Sequence, residues 1–212
     1  MTYDEFILDL NKYYYDFWNI GLKKKANLSL KKYLQDFNEN ISEENRFNIW
    51  YTFCENHCKK TNLRKDLPYE ISQNVIYYLN KFSYTMPQMK WLYVLTRDVD
   101  ILDEAFNHKD CDQEVIEYKF ETYINMLDWG AHHASEGIVI ITTEEVQEAI
   151  TSCLSMISKY KIPLELQNSF HYNIKLYELL NLFSESDYEN FSEFCKDNNF
   201  PFNEIGTFYY KK

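Results

Sequence analysis

A chain of 212 residues, 45% hydrophobic and 26% charged, has the length and apolar content to bury its own core, which excludes disorder along its whole length. Its formal net charge of -11 repels phosphate, so nucleic acid and anionic membranes are excluded as expected partners and a basic protein is the natural complement. With 19 Tyr and 15 Phe against 4 Gly and 4 Pro, the turn-forming residues of an all-β sandwich are missing.

The expected fold is therefore all-α: one domain over residues 1–212, with about eight to ten helices in stacked antiparallel hairpins. Cys54, Cys58, Cys111, Cys153 and Cys195 form an odd, scattered set that reads as reduced thiols. The acidic start "MTYDEFILDL" lacks the basic end of a signal peptide, and the longest aliphatic run, "IVII", is far too short to span a bilayer. The expected location is the cytoplasm.

In chain order, Phe6, Leu10, Tyr14 and Phe17 recur at helical spacing, with Ile7 and Trp18 widening the stripe, and predict a helix to about Asn19. Gly21 ends it. The lysines of "LKKKANLSLKK" read as a solvated loop and helix face. Ser42 followed by Glu43 and Glu44 predicts a capped start, with Phe47, Trp50, Tyr51, Cys54 and Cys58 as the buried face. Pro68 opens a helix with the stripe Ile71, Val75, Leu79 and Phe82. Thr85 and Gln88 make a capping box, and a short helix follows through Val99, Leu102 and Phe106.

Beyond the polar loop "NHKDCDQ", Ile116, Phe120, Tyr123 and Leu127 mark the next helix. "EGIVIITTEE" is rich in β-branched residues, but a lone strand would leave unpaired edges, so an extended linker is expected, ending in the Thr142 and Glu145 capping box. Val146, Ile150, Leu154 and Ile157 then form a stripe bounded by Pro163. The following helix carries Leu166, Phe170, Ile174, Tyr177 and Leu180, with Leu176, Leu179 and Phe183 widening its apolar arc. Ser184 and Asp187 predict the start of a last helix through Tyr188, Phe191 and Phe194, which "NNFP" stops. The pattern L-N-x-F-S occurs at both 77–85 and 178–186, a short match in keeping with repeated helix hairpins.

The densest polar chemistry is "INMLDWGAHHASEG". Continued as a helix, it sets Asp128, His132 and Glu136 four residues apart, away from the apolar stripe, as a metal-dependent hydrolase would require. The adjacent His132 and His133 would diverge by about 100°, so they do not serve one ion. In "CENHC", Cys54 and Cys58 with His57 form a second cluster, yet the same cysteines continue an apolar stripe. No G-x-S-x-G, phosphate loop or calcium loop is present. No cofactor is expected.

Charge is the stronger signal. Asp98, Asp100, Asp103, Glu104, Asp110, Asp112, Glu114, Glu117 and Glu121 crowd one stretch, against Lys109 and Lys119. Such a run keeps a surface solvated; it also makes an electrostatic docking face, with Tyr118, Asp128 and Trp129 as further contacts. The leading expectation is a non-enzymatic binding module that neutralises a basic, nuclease-like toxin as an immunity protein. A helical-repeat scaffold that binds a peptide and a hydrolase using Asp128, His132 and Glu136 are the alternatives.

Overall fold

The structure, a computed structural model, describes residues 1–57, 67–81, 85–136 and 138–202. It is all-α, and among the described residues there is no strand. The chain divides into two compact units, Met1–Cys111 and Asp112–Lys212.

The first unit begins with α1 (Tyr3–Leu10), which runs without a break through a π-helical segment (Asn11–Tyr15) into α2 (Asp16–Asn19). Thr2 and Glu5 cap it reciprocally: the Glu5 N–H donates to the Thr2 hydroxyl at 3.3 Å, and the Thr2 N–H donates to the Glu5 carboxylate at 2.7 Å. Phe6, Leu10 and Tyr14 are buried as the spacing predicts, but Phe17 is only half-buried and Trp18 is exposed. The π segment adds a residue to the turn, so residues beyond it rotate off the stripe.

The lysine-rich stretch is the start of α3 (Lys23–Asn40), so the solvated helix face is as expected, with Lys23, Lys24, Lys25, Lys31 and Lys32 exposed, while the loop part is not. Lys23 and Lys25 lie over the rings of Trp18 and Phe17, at 5.0 and 4.2 Å from their centroids. Helix α4 (Glu43–His57) buries Ile49, Trp50, Phe53 and Cys54; Phe47 and Tyr51 are half-buried, and Cys58 and Phe82 lie outside the described residues. Phe6 sits among Phe37, Trp50 and Phe53, with ring centroids 5.2, 5.0 and 6.5 Å away.

Helix α5 (Tyr69–Lys81) adds Ile71, Val75 and Leu79 to this core. The Thr85–Gln88 capping box opens α6 (Met86–Thr96), which is buried continuously from Gln88 to Leu95. Arg97 ends it in the left-handed conformation, φ 62°, with its N–H donating to the Tyr93 carbonyl at 2.7 Å. Helix α7 (Val99–Phe106) follows.

The second unit starts at α8 (Gln113–Gly130), capped by Asp112, and buries Val115, Ile116, Phe120, Ile124 and Leu127. A 3-10 turn (Ala134–Glu136) and an irregular stretch over 138–142, bent at Ile141, lead to α9 (Thr143–Lys159), which opens on the Thr142–Glu145 capping box. The buried face of α9 is Ala149, Cys153 and Met156, while Leu154 is exposed, so the Val146, Ile150, Leu154, Ile157 stripe is displaced.

Helix α10 (Leu164–Ser184) packs on α8, with the Phe120 and Phe170 rings 5.8 Å apart. Helix α11 (Phe191–Asp197) begins later than predicted, because Asn190 rather than Ser184 supplies the cap: its side chain accepts from the Glu193 N–H at 3.0 Å. The second copy of the L-N-x-F-S pattern falls at the end of α10, and part of the first lies outside the described residues. No helix among the described residues is long and apolar enough to cross a membrane.

Candidate functional site at the end of helix α8

The sequence between 124 and 137 does not continue as one helix. Helix α8 stops at Gly130, and the next bonds run His132 N–H to Trp129 carbonyl, Ala134 N–H to Ala131 carbonyl and Glu136 N–H to His133 carbonyl, at 3.1, 2.9 and 2.9 Å. Gly130 is buried because the chain passes close to it: a Cβ there would lie 2.5 Å from the Ile141 side chain and 2.5 Å from the Tyr177 hydroxyl. That hydroxyl donates to the Leu127 carbonyl at 2.9 Å. Burial and the nearby Asp128 charge hold the Tyr177 phenol well above its ordinary pKa, so it stays a donor.

The expected Asp128, His132, Glu136 face is therefore dissolved. Glu136 pairs instead with His133, whose Nδ1 lies 3.1 Å from the carboxylate. Asp128 faces α10, where its carboxylate accepts from the Asn173 side-chain amide at 2.6 Å. Among the described residues, no three His, Cys, Asp or Glu side chains gather as a metal site.

Asp128 and Asn173 lie in the lining of a cleft of about 250 Å³ within the second unit. Ala131, His132 and Ser135 line it from the turn beyond α8, Tyr172 and Leu176 from α10, and Phe202 from the end of the described chain. Asn173 is fully buried. Its Nδ2 serves Asp128 and, at 3.3 Å, the Ser169 carbonyl, yet its Oδ1 has no hydrogen-bond partner. Turning the amide over would set its oxygen against the carboxylate, so the arrangement leaves one buried acceptor unanswered.

Several apolar side chains near the end of α8 are exposed. Trp129 is 58% exposed, and Ile138, Val139 and Ile140 are 51, 37 and 39% exposed. The 138–140 segment is held against the helix end, with Ile140 N–H donating to the Gly130 carbonyl at 2.9 Å and Ile138 N–H to the His133 carbonyl at 3.2 Å. Asp128, Glu136 and Glu144 are exposed in the same stretch of chain.

The acidic run divides at Cys111. Asp98, Asp100, Asp103, Glu104 and Asp110 belong to the first unit and Asp112, Glu114, Glu117 and Glu121 to the second. Two carboxylates serve as caps: Asp98 accepts from the Asp100 N–H and Asp112 from the Val115 N–H, both at 3.0 Å. Asp103, Asp112, Glu114, Glu117, Glu121 and Tyr118 are half-buried, while Asp98, Asp100, Glu104 and Asp110 are exposed. In the other cluster, His57 Nε2 lies 3.0 Å from the Tyr3 hydroxyl, and Cys54 is buried in the core.

Sequence reasoning found Asp128, Trp129 and His132 but missed Asn173 and Tyr172. The available signal was an amide at a buried stripe position, three residues after Phe170 and four before Tyr177. The chain matches no protein-family model, no curated protein and no solved structure.

Proposed function

We propose that this chain is a binding module for a basic protein, and within that class an inhibitor of the immunity type that neutralises a nuclease-like toxin. The observation that carries the reading is the exposure of Trp129, Ile138, Val139 and Ile140 around the end of α8, where backbone hydrogen bonds tie the 138–140 segment to Gly130 and His133, with exposed carboxylates in the same stretch of chain. An exposed Trp among aliphatic side chains with a charged rim has the composition of an interface hot spot. The net charge of -11 selects for a basic partner and speeds its approach.

The test is purification with the basic protein encoded beside it in its native genome. A stoichiometric complex is expected, one that dissociates as salt rises from about 0.1 M to about 1 M. It should suppress the partner's nuclease activity, and Trp129→Ala should abolish both effects without lowering the melting temperature. Absence of a complex with the neighbouring gene products, together with absence of salt-sensitive binding to basic proteins of the native host, overturns the proposal.

A further inference from the structure

The cleft at Asn173 adds a chemical specification to that surface. Its lining holds one carboxylate, Asp128, and one fully buried amide whose Oδ1 receives no donor. Among the described lining residues there is no Lys or Arg, and the carboxylate of Asp128 disfavours an anion. That oxygen is closed to solvent, so the polar group a ligand meets is the exposed Asp128 carboxylate, fixed by the hydrogen bond it accepts from the Asn173 amide at 2.6 Å. Tyr172, Phe202 and Leu176 supply two rings and an aliphatic wall, which suit an alkyl stem ending in a delocalised cation. The volume of about 250 Å³ falls below the roughly 300–1,000 Å³ of pockets for drug-sized ligands, and it suits one side chain.

We propose that this cleft receives a single arginine side chain from the basic partner, its guanidinium donating to the Asp128 carboxylate, which the Asn173 amide holds in place, while Trp129 covers the flanking chain. Arginine fits better than lysine because its planar fork matches a carboxylate with several donors, is less strongly hydrated and stacks on rings. The inference rests on the protein-binding reading only for the source of the arginine. The chemistry of the cleft stands by itself.

The experiment needs no partner. The 15N-labelled protein is titrated with Nα-acetyl-arginine methylamide, with its neutral citrulline counterpart, with agmatine, and with a capped peptide carrying one arginine between alanines and lysines. The arginine probe is expected to shift the Asn173 side-chain amide resonances saturably, and citrulline to leave them in place. Asp128→Asn should weaken arginine binding at least tenfold; this variant keeps an acceptor for Asn173, and an unchanged amide spectrum away from the cleft reports that the fold persists.

The peptide should bind at least tenfold more tightly than agmatine and lose that advantage in Trp129→Ala. Equal binding of citrulline, or no loss in Asp128→Asn, overturns the cation site. Agmatine binding as tightly as the peptide assigns the cleft to a free small amine and overturns the arginine of a protein. Saturable arginine binding in a chain that forms no complex with any basic protein would defeat the proposed function while leaving the cleft's chemistry intact.

Discussion

Gly130→Ala tests the packing that ends helix α8. The added Cβ would stand 2.5 Å from both the Ile141 side chain and the Tyr177 hydroxyl, about 1 Å short of ordinary carbon contact near 3.5 Å. Overpacking of this kind costs about 1–3 kcal/mol. Displacing Tyr177 also breaks its bond to the Leu127 carbonyl, worth about 0.5–1.5 kcal/mol net. Against this, Ala is a better helix residue than Gly by up to about 1 kcal/mol. The balance is a net loss of about 0.5–4.5 kcal/mol, which urea denaturation resolves.

The variant should also lose hydrogen-exchange protection at the Ile140 amide, which donates to the Gly130 carbonyl. In a Tyr177→Phe background the substitution should cost less, because the hydroxyl it strikes is gone while the Ile141 clash remains. The reasoning fails if Gly130→Ala raises the denaturation midpoint, as helix propensity alone would have it, or if its cost is identical in both backgrounds.

The Thr142 N–H bond to Glu145, and then the Thr142 hydroxyl, hold the Glu145 carboxyl below its ordinary pKa. A group depressed in this way stabilises the folded state above its unfolded value, about 4.3, and loses that contribution as pH falls through the folded value. An NMR titration should find the Glu145 midpoint below about 4.3 and Thr142→Val moving it upward; a midpoint at or above that value refutes the cap. Burial pushes the Cys153 thiol up to about 12 and the Cys195 thiol up to about 11. At about pH 8 an aromatic disulfide reagent should leave both unlabelled in the folded protein and label both in urea, and labelling of either at native rates before unfolding contradicts their burial.

What the sequence made legible was local. Capping boxes need two side chains three residues apart, so Thr85 with Gln88 and Thr142 with Glu145 could be read directly. The displaced features depend on packing. Aliphatic spacing in α9 points to Val146, Ile150, Leu154 and Ile157, whereas the buried face is Ala149, Cys153 and Met156. Which face a helix buries is set by the neighbours it packs on, and here Leu154, at 50% exposure, lies outside that contact while Met156 lies within it. The π segment after Leu10 carries no residue signature in "NKYYY", and its effect is visible only as Phe17 and Trp18 leaving the core side.

The candidate site turned on the same distinction between spacing and backbone. A wheel at 100° per residue places Asp128, His132 and Glu136 together, but it holds only while each N–H reaches four residues back. That condition lapses after the Ala131 N–H to Leu127 carbonyl bond, and from His132 to Glu136 the bonds reach three residues back. In that geometry residues three apart eclipse, which is why His133 meets Glu136 and His132 does not. Freed from that face, Asp128 is turned to an amide on α10, 45 residues away in sequence. Sequence spacing carries no information about such a pairing. The polar position inside the α10 stripe does, because an amide is retained at a fully buried site only where something answers it, and Asp128 answers only its nitrogen.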